Sequence, residues 1–351
     1  MISLNKPFGI FMALILMVGI LSFINSNAEA REQIRIVGSS TVYPFATAVA
    51  EEFGKITSFK TPVIESTGSG GGLKLFCAGV GTNYPDITNS SRRIKESEVK
   101  SCRKNGVEEI LEVKIGFDGI VISNSRNSDP VSLTLQQLFL ALAKEVPDVY
   151  GDLVANSYEK WSDIDGSLPE TKIEVLGPPP TSGTRDAFIE LAMEGGCKTF
   201  PEIKVIKSKD KNTYKKICHT IREDGAYVEA GENDNLIIKK LESNPKAFGI
   251  FGYGFLEQNK DLVQGALINN VEPTFELIAK GDYPISRSLY FYVKKAHIGI
   301  IPGLEEYLDQ FTAEETIGEY GYLTDKGLIP LADSERITIR NNVLLGTPLE
   351  F

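Results

Sequence analysis

The chain has few of the residues that carry most enzyme and metal chemistry. Among its 351 residues are two histidines, His219 and His297, one tryptophan, Trp161, and four cysteines. Neither histidine stands at metal-ligand spacing, and no C-x-x-C pair occurs, so zinc and thioredoxin-like chemistry find no support. The stretch "TSGT" lacks the G-x-S-x-G frame of a nucleophile elbow, and "GSGGGLK" lacks the G-K-[ST] ending of a P-loop. The acidic "GENDN" lacks EF-hand spacing and reads as a polar turn. No metal or cofactor is therefore expected. Basic blocks and stripes are also missing. Lys and Arg total 37 against 47 Asp and Glu, a net charge of −10, which argues against nucleic acid and anionic lipid as partners. There is no repeat of solenoid length. Beyond residue 30 no apolar run is long enough to span a bilayer.

What is present is a globular composition, 42% hydrophobic and 24% charged, sufficient for one or two cores. At the N-terminus Lys6 precedes the apolar run "FGIFMALILMVGILSFI", and "NSNAEA" follows with Ala28 and Ala30 at small-residue positions. Residues 1–30 read as a secretory signal peptide cleaved after Ala30, the alternative being a retained anchor. No cysteine near that point invites lipidation. The even set Cys77, Cys102, Cys197 and Cys218 fits an exported, disulfide-bonded protein. Three pairings are possible; chain order favours 77–102 and 197–218.

From residue 34 strand and helix patterns alternate. "IRIVG", "TPVIESTG" and "KIEVLGP" read as strands, "DITNSSR" as a strand edge, and "EEILEVKIGFDGIVISN" as one or two extended strands. "STVYPFATAVAEEFGK", "GGGLKLFCAGV", "LTLQQLFLALAKEV", "TRDAFIELAMEGG" and "DNLIIKKLESN" have helical apolar spacing. The alternation argues for an α/β fold with a mainly parallel sheet. Its size suggests two lobes. Trp161, in "YEKWSDI", is expected to pack in a core.

Three places repeat one design. "VGSSTVYPF", "STGSGGGLK" and "GPPPTSGTRDAF" each join a strand to a helix through Gly and Ser or Thr. The first turn of a helix leaves N–H groups without intrahelical partners, the helix dipole adds partial positive charge, and glycine permits close approach. Each such turn is also an ordinary N-cap. Three together suggest converging donors for an oxyanion. A fourth stretch, "DITNSSRR", adds Ser90, Ser91, Arg92 and Arg93, and Arg185 follows "TSGT". Arginine is the natural partner of such an anion, and a surface ion pair is the plainer alternative.

These motifs, in this order through nearly all of the chain after residue 30, resemble those of the periplasmic phosphate-binding proteins that serve phosphate ABC transporters. The matching stretches are "GSSTVYPFA", "ESTGSGGGLKLFC", "PDITNSSRRI", "GFDGIVIS", "GPPPTSGTRDAF", "GENDNLI" and "AFGIFGYGFLEQN". The resemblance implies an α/β, type II two-lobed binding protein, each lobe a mixed sheet flanked by helices, joined by a two-segment hinge. Lobe I would comprise residues 31–122 and 283–351, and lobe II residues 123–282. It implies phosphate held by Ser40, Thr41, Ser69, Gly70, Ser91 and Arg92 from one lobe and by Ser182, Gly183, Thr184 and Arg185 from the other. It further implies an exported periplasmic carrier without enzymatic activity, acting as a monomer with an inner-membrane permease as partner. Two positions depart from the family pattern. Ser91 stands where an Asp accepts the phosphate proton, and Pro178 where an Arg precedes the Ser-Gly-Thr turn, which leaves Arg92 or Arg185 to supply charge. Carriers of sulfate or molybdate, a secreted phosphatase-like enzyme and an adhesin are the rival readings.

Overall fold

The computed structural model of the chain describes residues 31–231 and 233–350. The expected signal peptide, residues 1–30, lies outside the described residues.

Short β-rich runs form the first strands, β1 (Arg35–Gly38), β2 (Val63–Ser66) and β3 (Ile87–Ser90), parallel to one another in the order β2–β1–β3. Helix α1 (Tyr43–Ile56) follows β1 and buries Phe45, Ala46, Val49, Ala50 and Phe53, the stripe expected from its spacing. Pro44 sits in its first turn, where a missing N–H breaks no intrahelical bond. Helix α2 (Ser69–Phe76) follows β2, and α3 (Glu96–Lys104) follows β3.

The long apolar run is one strand, β4 (Ile110–Ser125), and it belongs to two sheets. Later in the chain come β5 (Val175–Gly177), β6 (Tyr227–Glu229), β7 (Phe248–Gly252), β8 (Val263–Gly265) and β9 (Ser286–Lys294). Residues 110–119 of β4 pair antiparallel with β9, which pairs antiparallel with β3. Residues 120–125 pair antiparallel with β7 and β8, and β7 continues in parallel through β5 to β6. The change of sheet falls between Gly119, opposite Ser286, and Ile120, opposite Gly252. Both sheets are mixed rather than mainly parallel, because the shared strand runs against its neighbours. The "DITNSSR" strand is interior, not an edge: β3 lies between β1 and β9, and all four of its residues are buried.

Each sheet has its own core. Phe53, Phe291, Tyr307 and Phe311 lie in the first, and Phe139, Trp161, Phe188, Phe248 and Phe251 in the second. Trp161 is buried edge-on to Phe248 at 5.0 Å, as expected of a packing residue. A third segment also crosses between the cores. Leu328 belongs to the first and Ile329 and Leu331 to the second, while Ile329 exchanges both backbone hydrogen bonds with Phe117 of β4.

The disulfides are Cys77–Cys102, joining the end of α2 to α3, and Cys197–Cys218, one in each lobe. Their sequence separations of 25 and 21 correspond to loop-closure stabilisation of about 3 kcal/mol each. Among the described residues no helix is long and apolar enough to cross a membrane.

Candidate anion-binding cleft

The first wall of the site depends on Gly38. It ends β1 at φ +129°, and a Cβ there would lie 2.2 Å from the Asn89 carbonyl oxygen, so no other residue fits. The chain then turns into α1. Ser39 N–H donates to the Asn89 carbonyl at 3.0 Å, and Tyr43 N–H to the Ser39 carbonyl at 3.0 Å. The amides of Ser40 and Thr41, just ahead of the helix, have no acceptor among the described residues, as the end of a helix leaves them.

The glycine run before α2 divides by role. A Cβ on Gly72 would lie 2.4 Å from Gly38 Cα, so this residue lets α2 pack directly on the end of β1. Gly70 meets nothing within 4 Å. The close packing places Ser69 beside Ser91: their hydroxyl oxygens are 3.0 Å apart, and Ser91 N–H donates to Ser69 Oγ at 3.1 Å.

The opposite wall comes from the turn after β5. A Cβ on Gly177 would lie 2.3 Å from the Tyr227 hydroxyl, which donates to the Pro178 carbonyl at 2.6 Å. Burial pushes the Tyr227 phenol up to about 12. Next comes α4 (Gly183–Phe188), continued by a wide π turn over Ile189–Met193 and a further helical turn to Cys197. Ser182 caps it, its Oγ accepting Thr184 N–H at 3.2 Å. Capping uses a lone pair and leaves the Ser182 O–H free to donate. Gly183 comes close to the first wall: a Cβ there would lie 3.0 Å from Ser40 O and 3.2 Å from Thr41 Cα.

Between these walls lies a cleft of about 340 Å³, lined by Ser40, Thr41, Ser182, Gly183 and Thr184 together with Asp118, Asp234 and Lys326. Five of the ten residues expected to hold an anion therefore share one cavity. Ser69 and Ser91 are not in its lining; Arg287, also outside the lining, links Ser91 to Thr41, and a Cβ on Gly70 would meet nothing within 4 Å.

Arg287, near the start of β9, is the residue the sequence reading missed. Its Nη2 donates to Thr41 Oγ1, its Nη1 to Ser91 Oγ at 3.2 Å and to Glu190 at 2.7 Å, and its Nε to Asp118 at 3.3 Å. A charge ahead of the apolar run in "YPISRSLYFYVKK" was the available signal. The two arginines expected to supply charge are engaged elsewhere. Arg92 forms a two-pronged pair with Glu98 at 2.7 and 2.9 Å. Arg185 lies 4.5 Å over the Tyr227 ring, with Nη1 3.3 Å from the Pro178 carbonyl and 3.4 Å from Glu229. Neither lines the cleft.

Two carboxylates do. Burial pushes Asp118 up, with Arg287 opposing the shift. Burial pushes Asp234 up to about 6; the Gly252 amide, which donates to it at 3.3 Å, opposes the shift, and among the described residues no cation does. Neither histidine lines the cleft. His219 pairs with Glu194 at 2.9 Å, and His297 Nδ1 lies 2.6 Å from Asp86 while its Nε2 accepts Gly81 N–H at 3.0 Å. Among the described residues no group of three His, Cys, Asp or Glu could hold a metal ion.

Two sheets sharing a strand, with a polar cleft between them fed by helix ends from both sides, define a two-lobed binding protein. Residues 25–315 match the family described as the PBP superfamily domain. A phosphate-binding protein PstS from Staphylococcus epidermidis is 30% identical over 265 residues, covering 73% of this chain and 67% of its own length. Protein SphX from Synechococcus elongatus is 29% identical over 284 residues, covering 77% and 73%. A possible phosphate binding protein from Planctomyces limnophilus superposes with TM-score 0.70 at 25% identity, over 90% of this chain and 98% of its own. The chain belongs to the PBP superfamily and, through its similarity to PstS, to the phosphate-binding protein family.

Proposed function

We propose that the chain captures inorganic phosphate in the cleft between its lobes and delivers it to the inner-membrane permease of a phosphate ABC transporter. The observation that carries this reading is the meeting of Ser40 and Thr41 from one lobe with Ser182, Gly183 and Thr184 from the other in a single cavity. Unpaired amides and hydroxyl donors there replace the water of an oxyanion without a large net positive charge. Ser69 and Ser91 complete the donor set from the first lobe.

The lobes hinge where the chain passes between sheets, at Gly119–Ile120 and just before Ser286, with Ile329 as a third tie. The proposed lobes, residues 31–122 with 283–351 and residues 123–282, have their boundaries within a few residues of the first two of these crossings. With Ser91 at the family's Asp position, the cleft carboxylates are the acceptors for the phosphate proton. Asp234 is the better placed, since Asp118 is already paired with Arg287. Sulfate and molybdate carry no proton to offer either carboxylate at neutral pH.

The reading is of binding without chemistry, because both histidines are occupied away from Ser182 and Thr184. Two disulfides support an exported, periplasmic location, and a monomer suffices because one chain supplies both walls. The test is calorimetric titration of the mature, ligand-stripped chain with phosphate and with sulfate from pH 5 to 8. Saturable phosphate binding with sulfate excluded is expected; equal binding of both, or of neither, overturns the assignment.

A further inference from the structure

We infer that Arg287 is a positioning residue that turns two hydroxyl groups, those of Thr41 and, by way of Ser91, Ser69, into donors for the anion and ties that state to lobe closure; this rests on the phosphate reading above.

A hydroxyl can donate one hydrogen bond and accept two, and which way it turns depends on its neighbours. A guanidinium can only donate. Arg287 Nη2–H donates to Thr41 Oγ1, so the Thr41 proton is directed elsewhere, and Thr41 lines the cleft. Arg287 Nη1–H donates to Ser91 Oγ at 3.2 Å and takes one of its lone pairs, which favours the Ser91 hydroxyl as the donor in its 3.0 Å contact with Ser69 Oγ. Ser69 Oγ also accepts Ser91 N–H at 3.1 Å, so its lone pairs are taken and its own proton turns outward. The result is a chain of donors running from a buried cation, each polarising the next. Without the guanidinium, the Thr41 and Ser91 hydroxyls are free to turn toward carboxylates such as Asp118 and present lone pairs to an anion.

Arg287 is held on four sides. Asp118 opposite it in β4 fixes Nε at 3.3 Å, and Glu190 meets Nη1 at 2.7 Å. Glu190 comes from the other lobe. It lies in the π turn Ile189–Met193, and such turns displace side chains from the regular helical positions. The Arg287 side chain is 8% exposed and that of Glu190 55%. The Glu190 contact joins the lobes, so opening the cleft releases one side of the guanidinium.

The test is a mutational cycle read by phosphate calorimetry on the mature chain. Arg287→Met is expected to weaken phosphate binding about 30- to 100-fold. In a Thr41→Val, Ser91→Ala background the same change is expected to add less than about threefold, because the groups it acts through are gone. Arg287→Lys, which keeps the charge but not the fork, is expected to recover only part of the affinity. Glu190→Gln is expected to speed phosphate release severalfold in stopped-flow. Losses that multiply across backgrounds, full rescue by Lys, or an unchanged release rate in Glu190→Gln would overturn the inference. Should Arg287→Met fail to fold, Arg287→Lys takes its place in the same cycle. A wild type that binds no phosphate refutes the functional reading itself, whereas a selective wild type with multiplying losses refutes only the role of Arg287.

Discussion

Replacing Gly183 by alanine tests whether the two walls meet. The added methyl would lie 3.0 Å from the Ser40 carbonyl oxygen and 3.2 Å from Thr41 Cα. Both neighbours are backbone, held by the bonds that anchor Ser39 to Asn89 and Tyr43 to Ser39, so neither can swing aside as a side chain would. The contact spans the lobes, so the wedge is felt in the closed state and hardly at all in the open one. Overpacking of this kind costs about 1–3 kcal/mol. At 1.4 kcal/mol per factor of ten, phosphate binding should weaken about 5- to 150-fold. Stability without phosphate should hold or rise slightly, since alanine is the better helix former. Gly166→Ala is the control, because a Cβ there meets nothing within 4 Å. Calorimetric titration and thermal melts of both variants decide the matter. If Gly183→Ala binds phosphate like the wild type, the lobes do not close on this contact. If affinity and melting temperature fall together, the glycine serves the fold rather than closure.

Three further substitutions probe the site and the core. Ser182→Ala removes a hydrogen bond to a charged ligand, so phosphate should bind about 10- to 150-fold more weakly, and the lost cap should lower stability by about 1 kcal/mol in denaturant titration. Asp234 is held near 6 in the fold against about 3.9 unfolded, so the native state takes up its proton first and this group's contribution to stability grows as pH falls from 6 to 4. Asp234→Asn should therefore be more stable than wild type at pH 7 by about 2–3 kcal/mol, with the advantage fading toward pH 4; a difference independent of pH would contradict the burial argument. Lys294 is buried under the rings of Phe76 and Tyr84, its ammonium has no hydrogen-bond acceptor among the described residues, and burial pushes it down to about 8. Its penalty is present in full below pH 8 and lifts as pH rises toward 10.4, so Lys294→Met should raise stability at pH 7 by about 1–3 kcal/mol in urea unfolding. A lower midpoint would show that the ammonium stabilises the fold.

Much of the fold was legible because its signals are local. The apolar spacing of α1, the β-rich runs that end in glycine and the even cysteine count depend on residues near one another in the chain. Helix α3, the helix Lys211–His219 that carries Cys218, and the helix Asp333–Leu344 gave weaker signals. They are short or strongly polar, with few buried positions such as Val99 and Cys102 in the first and Tyr214, Ile217 and Cys218 in the second. The π turn at Ile189–Met193 was not visible in an ordinary helical pattern.

For the site, the sequence by itself determined the kind of chemistry: Gly, Ser and Thr at strand-to-helix turns dictate unpaired donors wherever those turns come to lie. Only tertiary structure decided which turns face one another and which cation serves them. Arg92 and Arg185 looked suitable by position in the chain, yet Glu98 and Tyr227 hold them. Arg287, about 200 residues beyond Ser91 in sequence, reaches Thr41, Ser91 and Glu190 because β9 returns to the first sheet beside β4. Backbone donors are a property of local conformation, whereas the partner of a long charged side chain is set by strand pairing between distant segments.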